Sequence, residues 1–226
     1  MAYQIVKMKD GRKYIIGLLP SDIVIDLDNG HGTRVFTDGK CSSDHRYYEG
    51  EWSRMMVRKL QKAFEELGFG TWIVVPEDKD ISLTERCRRA NAYAKLHRDK
   101  FHVYLSIHSD ADRFENLIDG WSGARGAGVH VGLTASEASK VIASHLYDAA
   151  MAMGLKGNRK SNSYKASNFT VLMDTKMPAV LTESAFHTNK QDVDYLLSEK
   201  GQEDIVNYHV AGICKTFGIP YSICKG

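Results

Sequence analysis

The amino-acid sequence predicts a single-domain α/β fold, in which a mixed, mostly parallel β-sheet carries helices on both faces. From residue 23 onward, short apolar runs alternate with amphipathic segments, which is the pattern of a sheet covered by helices. A chain of 226 residues is long enough to bury one sizeable core. Since no internal repeat or low-complexity tract divides the chain, we expect one main domain.

The first 20 residues are predicted to form a β-hairpin extension, with the catalytic domain occupying residues 21–226. Hydropathy alternates along residues 3–17 on both sides of "KDGR", whose Asp-Gly dipeptide favours a tight turn. The segment "LLPSD" then leads into the main domain.

The predicted strands of the sheet are short apolar runs rich in β-branched and aromatic residues. In chain order they are "IVIDL" at 23–27, "GTWIVV" at 70–75, "FHVYLSI" at 101–107, "AGVHVG" at 127–132, "FTVLM" at 169–173 and "PAVLTE" at 178–183.

The helices between these strands have recognisable ends. "SLTE" at 82–85 and "TASE" at 134–137 each fit a capping box, in which a hydroxyl accepts a hydrogen bond from the helix backbone. Three glycines follow amphipathic runs where a residue with positive φ would end a helix, namely Gly68, Gly154 and Gly218. The final helix is predicted over about residues 202–217.

The composition and the first residues of the chain indicate which partners to exclude and where the protein is synthesised. A formal net charge of +2 is too small for the strong basic surface that nucleic-acid binding needs, so we expect no nucleic-acid partner. The start, "MAYQIVKMKDGRKYIIG", lacks the apolar run of a signal peptide, and no segment is long enough to span a bilayer. The sequence therefore predicts synthesis in the cytoplasm. We also expect the protein to be a monomer.

Three predicted strands end at side chains that can bind a metal or transfer a proton. His31 follows the first strand, His108 ends the run "VYLSIHSD", and Glu183 ends "PAVLTE". Because ligands bind at the carboxyl ends of parallel strands, these side chains are expected to converge. Two histidines and one carboxylate form a common ligand set for catalytic zinc. Glu183 at the end of an apolar run favours catalysis, and the alternative is a buried carboxylate paired with an arginine.

The carboxylate ligand is a choice between Glu49 and Glu51, which both open one amphipathic helix. Helical spacing decides, because a ligand must lie on the face that turns toward the sheet. From Glu49, the helical repeat reaches Met56, Leu60, Ala63 and Leu67, all suited to burial. From Glu51, it reaches Arg58, Lys62 and Glu66, which form a solvent face. The spacing therefore favours Glu49.

Together these residues resemble the zinc-dependent N-acetylmuramoyl-L-alanine amidases of the Amidase_3 type. The family pattern runs from D-P-G-H-G through a glutamate that opens a helix to S-I-H-x-N-A and P-A-V-L-x-E-x-x-F-x-x-N. Its counterparts here, in the same order, are "DNGHG" at 28–32, "EGEWSR" at 49–54, "SIHSDA" at 106–111 and "PAVLTESAFHTN" at 178–189, and "ISLTERCRRAN" at 81–91 resembles a further helix entry. The resemblance covers about residues 22–218, and four ordered blocks are far more specific than any one of them.

The resemblance implies a phosphorylase/hydrolase-like fold and a Zn²⁺ ion held by His31, Glu49 and His108, with Glu183 as the catalytic residue. The enzyme would hydrolyse the amide bond between the lactyl group of N-acetylmuramic acid and L-alanine, in peptidoglycan or in soluble muropeptides. Two positions depart from the family pattern: Asn29 replaces a proline, which is expected to alter only loop stiffness, and Asp110 replaces an asparagine, which adds negative charge.

Several further side chains are weaker candidates. Asp110, together with Trp121 and Arg125 in the glycine-rich stretch 117–128, could contact substrate, although an ordinary surface loop has the same composition. The basic run 156–165 could attract carboxylates of a peptide stem or could be a solvated loop. The remaining histidines are predicted to be surface or core residues, and among them His130 and His187 lie near the predicted active edge.

Three functions stay open at this point. The preferred one is a peptidoglycan amidase that resembles a phage or prophage endolysin and reaches the cell wall through a membrane lesion, with a cytosolic recycling enzyme as its variant. A zinc peptidase that cuts within the stem peptide would use the same chemistry. A catalytically inactive wall-binding module is less favoured, because binding alone does not need Glu183 beside three metal ligands.

Overall fold

The computed structural model describes residues 2–35 and 40–221. Its strands are β1 (Gln4–Lys7), β2 (Lys13–Ile16), β3 (Ile23–Asp28), β4 (Gly70–Ile73), β5 (Phe101–Asp110), β6 (Gly128–Gly132), β7 (Lys165–Ser167) and β8 (Ala179–Phe186). Its α-helices are α1 (Glu49–Glu66), α2 (Leu83–Leu96), α3 (Glu137–Ala152), α4 (Thr170–Met173), α5 (Lys190–Leu197) and α6 (Glu199–Thr216).

The centre of the fold is a six-stranded sheet with the order β4-β3-β5-β8-β6-β7. Strands β4, β3, β5 and β8 are parallel to one another, whereas β6 is antiparallel to β8 and parallel to β7. The predicted mixed, mostly parallel sheet is thus confirmed. Because β3, β5 and β8 are adjacent and parallel, their carboxyl ends lie at one edge of the sheet.

Helices cover both faces of this sheet, as predicted. On one face α1, α3 and α6 pack against side chains such as Ile25 and Leu105, both fully buried. On the other face α2 and α4 pack against Tyr104 and Leu181. The alternation of buried side chains along each strand therefore builds two cores, one on each side of the sheet.

The N-terminal hairpin forms a separate two-stranded antiparallel sheet of β1 and β2. It packs on the main domain, since Ile15 is fully buried in the larger core and Leu18 lies beside it. His145 of α3 also donates its Nε2–H to the carbonyl of Lys13 at 2.8 Å. The division of the chain at residue 20 stays a prediction.

One predicted strand in the second half of the chain is wrong, and one observed strand was not predicted. The run "FTVLM" at 169–173 is not a strand, because Thr170–Met173 forms helix α4. Strand β7 instead lies at Lys165–Ser167, at the end of the basic run. A short buried apolar run has no periodicity long enough to distinguish a strand from one helical turn.

The predicted helix ends agree in part with the structure. Ser82 caps α2, where it accepts a hydrogen bond from the Glu85 N–H at 3.3 Å. In contrast, the cap of α3 is Ser136, which accepts from the Ser139 N–H at 3.1 Å, and not Thr134. The three glycines proposed as helix ends have positive φ: Gly68 (+84°), Gly154 (+80°) and Gly218 (+66°). Among the described residues, no helix combines the length and the apolarity that a bilayer crossing requires.

A buried histidine of α6 makes stability depend on pH. The His209 Nδ1–H donates to the Ile205 carbonyl at 2.7 Å, and its Nε2 accepts from the Thr182 hydroxyl at 2.8 Å. Burial lowers the pKa of His209 to about 4, so the folded protein holds the neutral ring. The unfolded chain has an ordinary histidine pKa near 6.5 and therefore binds a proton more readily.

We expect this difference to remove stability as the pH falls from about 6.5 toward 4, at about 1.4 kcal/mol per pH unit. Above pH 6.5 both states are neutral at this residue, and the contribution is fully present. In His209→Gln the slope of unfolding free energy against pH should flatten by about one proton, as measured by urea unfolding between pH 4.5 and 7. A variant with the parent's slope would contradict the assignment.

Candidate active site

Three side chains that can bind a metal meet at the carboxyl edge of the sheet. Among the described residues, His31, Glu49 and His108 each offer a ligand atom, and these atoms lie within 4.8 Å of one another. His108 Nδ1 lies 3.0 Å from Glu49 Oε1, and His31 Nε2 lies 3.4 Å from Glu49 Oε2. The carboxylate thus lies between two imidazoles that approach it from different segments of the chain.

Each of the three side chains comes from a different element. His31 lies in the loop after β3, Glu49 is the first residue of α1, and His108 lies near the end of β5. Glu49 is buried, whereas the His31 and His108 side chains remain 22% and 14% exposed. The site is therefore open to solvent on the histidine side, where a substrate can enter.

The structure also distinguishes the two glutamates of α1. Glu51 turns away from the histidines and pairs with Arg34 at 3.0 Å. Met56 and Leu60 are fully buried on the face of Glu49, while Arg58 is exposed on the face of Glu51. The orientation inferred from helical spacing is confirmed, and the ligand role of Glu49 stays a proposal.

The loop that presents His31 is held by polar contacts along its length. Asn29 donates its Nδ2–H to the Val75 carbonyl at 2.9 Å, and Ser53 of α1 donates to the Asn29 carbonyl at 2.6 Å. The Arg54 guanidinium donates to the carbonyls of His31, Glu77 and Lys79. The Asn29 side chain thus ties this loop to the neighbouring one, and the expectation that Asn29 alters only loop stiffness stays a prediction.

Glycine is required at position 30 for two reasons. Its φ is +66°, a conformation that side chains with a Cβ rarely adopt. A Cβ atom at this position would also collide with the ring of His108. The bare backbone therefore lets the loop lie directly against the His108 imidazole.

Gly30→Ala is expected to lower the unfolding free energy by about 1–3 kcal/mol and to displace the His108 ring. Gly154→Ala is the matched control, because Gly154 has a φ of +80° but open space around its Cβ position. Urea unfolding and bound metal after dialysis measure both effects. Equal losses of stability and of metal in the two variants would show that the contact with His108 is unimportant.

Glu183 lies on β8 directly opposite His108 of β5. Within the described part of the chain, its Oε2 is buried and has no hydrogen-bond partner. Burial raises the pKa of Glu183 well above its usual value, and the negative charges of Asp110 and Glu49 raise it further. A buried carboxylate oxygen without a hydrogen bond lowers the stability of the fold. Such groups with shifted pKa values are common at functional sites.

The pKa values of the two histidines shift in opposite directions. Burial lowers the pKa of His31 to about 4, so its imidazole is neutral. Burial also opposes the charge of His108, but the hydrogen bond and negative charge of Glu49 outweigh it and raise the pKa of His108. The same pairing overcomes the burial of Glu49 and lowers its pKa. Without a metal, His108 and Glu49 thus form an ion pair.

The three weaker candidates have structural partners. Asp110 accepts a hydrogen bond from Arg159 Nη2 at 2.7 Å, and Arg125 donates its Nε–H to Asp192 at 3.1 Å. Trp121 is partly buried against the larger core. The roles of Asp110, Trp121 and Arg125 in substrate binding stay predictions.

Two residues near the site were not assigned a role from the sequence. Arg159, in the basic run, is mostly buried and stacks on Phe186 at 4.3 Å, with Asp110 beside it. His187 Nδ1 lies 4.0 Å from Glu49 Oε2. In contrast, His130 bonds to Ser167 at 2.7 Å and lies outside the cluster. The sequence carries no local signal for these contacts, which join segments far apart in the chain.

The chain is similar to curated proteins over most of its length. The chain is 28% identical over 200 residues to an endolysin of Bacillus phage SPP1, covering 85% of this chain and 65% of that protein. It is 29% identical over 170 residues to the probable cell wall amidase LytH of Staphylococcus aureus, covering 74% of this chain and 49% of that protein. The chain therefore spans about half to two thirds of the length of these curated relatives.

A solved structure and a family model extend the comparison. The crystal structure of an N-acetylmuramoyl-L-alanine amidase from Clostridium difficile 630 shares the fold, with a TM-score of 0.72, 23% identity, and coverage of 85% of this chain and 95% of that one. The family model Amidase_3, described as N-acetylmuramoyl-L-alanine amidase, matches residues 23–215. Since this match includes β3 to β8 and all four side chains of the site, the chain belongs to the N-acetylmuramoyl-L-alanine amidase family Amidase_3.

Proposed function

We propose that the protein is a zinc-dependent amidase that hydrolyses the amide bond between N-acetylmuramic acid and L-alanine in peptidoglycan. One observation carries the proposal: Glu183, whose Oε2 is buried and has no hydrogen-bond partner among the described residues, lies opposite His108, at the edge where His31, Glu49 and His108 converge. Membership of the amidase family supports the choice of bond.

The side chains present suit a zinc ion. Two imidazole nitrogens and one carboxylate oxygen within 4.8 Å of one another form a donor set that catalytic zinc commonly has. Glu49 is buried, and glycine at position 30 lets the loop lie directly against the His108 ring, so the three side chains stay close together. When bound, zinc would supply a Lewis acid that polarises a carbonyl and lowers the pKa of water.

Glu183 would move the proton in this reaction. Its Oε2 takes a proton from the attacking water and passes that proton to the leaving nitrogen of L-alanine. The carbon–oxygen bond forms first, and the carbon–nitrogen bond breaks once the nitrogen has received the proton, so one water yields the lactyl carboxyl group and a free amine. The raised pKa of Glu183 suits a group that must hold a proton before it releases that proton to the leaving nitrogen.

Mass spectrometry of digested peptidoglycan tests the bond specificity. Purified sacculi are incubated with zinc-loaded protein and with protein treated with a chelator. The amidase reaction yields intact glycan strands and stem peptides with a free L-alanine amine, and the chelator abolishes both products. L-alanine still joined to muramic acid, with cuts further along the stem, would identify a zinc peptidase instead. Binding to sacculi without any product would identify a wall-binding module.

The biological setting is a finer part of the same proposal. The similarity to a phage protein named endolysin supports a lytic enzyme. We propose that this enzyme reaches the wall through a membrane lesion and acts as a monomer. Expression in the cytoplasm with and without an induced lesion tests this role. Lysis only with the lesion is expected, and equal lysis in both cultures would contradict release through the membrane.

A further inference from the structure

A chain of buried polar groups extends from His108 into the protein, on the side away from Glu49. His108 Nε2 lies 3.1 Å from the Ser106 hydroxyl, which donates to Asp28 Oδ2 at 2.6 Å. Asp28 in turn pairs with the fully buried guanidinium of Arg86 on α2. Asp28 and Ser106 are register partners on β3 and β5, and Ser106 lies two residues before His108 on the same face of the sheet.

The proton positions in this chain follow from the number of protons that each group has. A serine hydroxyl has a single proton, and an ionised carboxylate can only accept. Ser106 therefore donates its proton to Asp28 and must accept the hydrogen bond from His108 Nε2–H. Nε2 thus keeps its proton whenever the chain is intact, and Nδ1 is the nitrogen that faces Glu49 with a lone pair to offer a cation.

Arg86 keeps Asp28 ionised at the far end of the chain. Burial opposes the charge of Asp28, but the guanidinium and the Ser106 hydroxyl outweigh it, so the pKa of Asp28 is lowered. The other donors of Arg86 bond to the Ile81 carbonyl at 2.7 Å and to Asp80 at 3.1 Å. A buried guanidinium with these partners is locked in one orientation.

We propose that Ser106 and Asp28 are positioning residues that hold His108 as the Nε2–H tautomer, which presents Nδ1 to the zinc ion. The inference rests on the proposed zinc site. Hydrogen bonds from the outer nitrogen of a histidine ligand orient the ring and raise its basicity, and their loss weakens metal binding by about 10- to 100-fold. The chain therefore adjusts zinc affinity without touching the ion.

Ser106→Ala tests the proposal, because it breaks the link while leaving the Arg86–Asp28 pair in place. The matched control is Ser184→Ala, which removes an equally buried hydroxyl from β8 that bonds to Tyr208 at 3.0 Å on the opposite face of the sheet. Zinc dissociation constants are measured by competition with a chromophoric chelator. We expect about 10- to 100-fold weaker binding for Ser106→Ala and the parent's affinity for Ser184→Ala.

Nitrogen-15 NMR of the zinc-loaded parent shows directly which nitrogen of His108 has the proton. A purely structural role of Ser106 would not change this result, and the parent spectrum does not require any variant to fold. The expected spectrum shows a slowly exchanging proton on His108 Nε2, and this proton exchanges faster in Ser106→Ala. A proton on Nδ1, or equal zinc affinity of Ser106→Ala and the parent, would overturn the inference while leaving the zinc site intact. Failure of the parent itself to bind zinc would overturn the proposed function as well.

Discussion

Replacing Glu183 by glutamine is expected to lower the rate of amide hydrolysis by about 10²- to 10⁴-fold, the usual contribution of a general acid–base group. Glutamine has nearly the same shape as glutamate but cannot accept the proton of the attacking water. Zinc content and binding to sacculi should stay at the parent's level, because Glu183 lies outside the His31, Glu49 and His108 group. Release of free L-alanine amines from purified sacculi measures the rate.

Glu137→Gln is a suitable control for this experiment. Glu137 opens α3 and pairs with Lys13 on the surface, so its neutralisation changes the net charge equally but leaves the site untouched. A Glu183→Gln protein that hydrolyses at the rate of the Glu137→Gln protein would remove Glu183 from the reaction. Loss of zinc from Glu183→Gln would show that this residue helps to hold the metal.

Replacing Glu49 by alanine is expected to weaken zinc binding by more than about 100-fold, since losing a direct ligand must cost more than losing an outer hydrogen bond. The two remaining histidines provide no negative charge to balance the cation. Glu51→Ala is the control, because its side chain pairs with Arg34 and leaves the metal group unchanged. Zinc content after dialysis against a mild chelator is measured for both variants and the parent.

The opposite pattern of zinc loss would contradict the assignment of Glu49 as the ligand. Zinc lost from Glu51→Ala but retained by Glu49→Ala would mean that α1 begins about two residues later than the structure places it. The buried positions of Met56 and Leu60 would then have to change as well, and tryptophan fluorescence of Trp52 would report that rotation.

The sequence predicts those parts of the fold that follow from periodicity over many residues. Helix α1 has 18 residues, so its spacing distinguishes Glu49 from Glu51 before any tertiary contact is known. Helix α4 has only four residues, and its apolar run alone predicts a strand. The prediction of an α/β sheet survives this error, because the adjacent strands β5 and β8 are long.

The candidate site divides in the same way. The motifs contain His31, His108 and Glu183, and a parallel sheet brings strand ends together, so their convergence is predictable. The partners behind them are not, because Asp28 bonds to Arg86 across 58 residues and Asp110 bonds to Arg159 across 49. Such pairs depend on which strands are neighbours and on how each helix is rotated about its axis. Local composition predicts neither.

The register between β5 and β8 has a consequence for the insertions and deletions that this gene can tolerate. His108 is opposite Glu183, while the next residue, Ser184, faces Tyr208 on the other side of the sheet. Side chains alternate along a strand, so one inserted residue early in β8 would turn Glu183 toward α6 and leave an unpaired charge in the apolar core. We expect length changes to accumulate in surface loops such as 113–120, whose residues are mostly exposed, whereas in β8 even a single added codon would abolish both folding and hydrolysis.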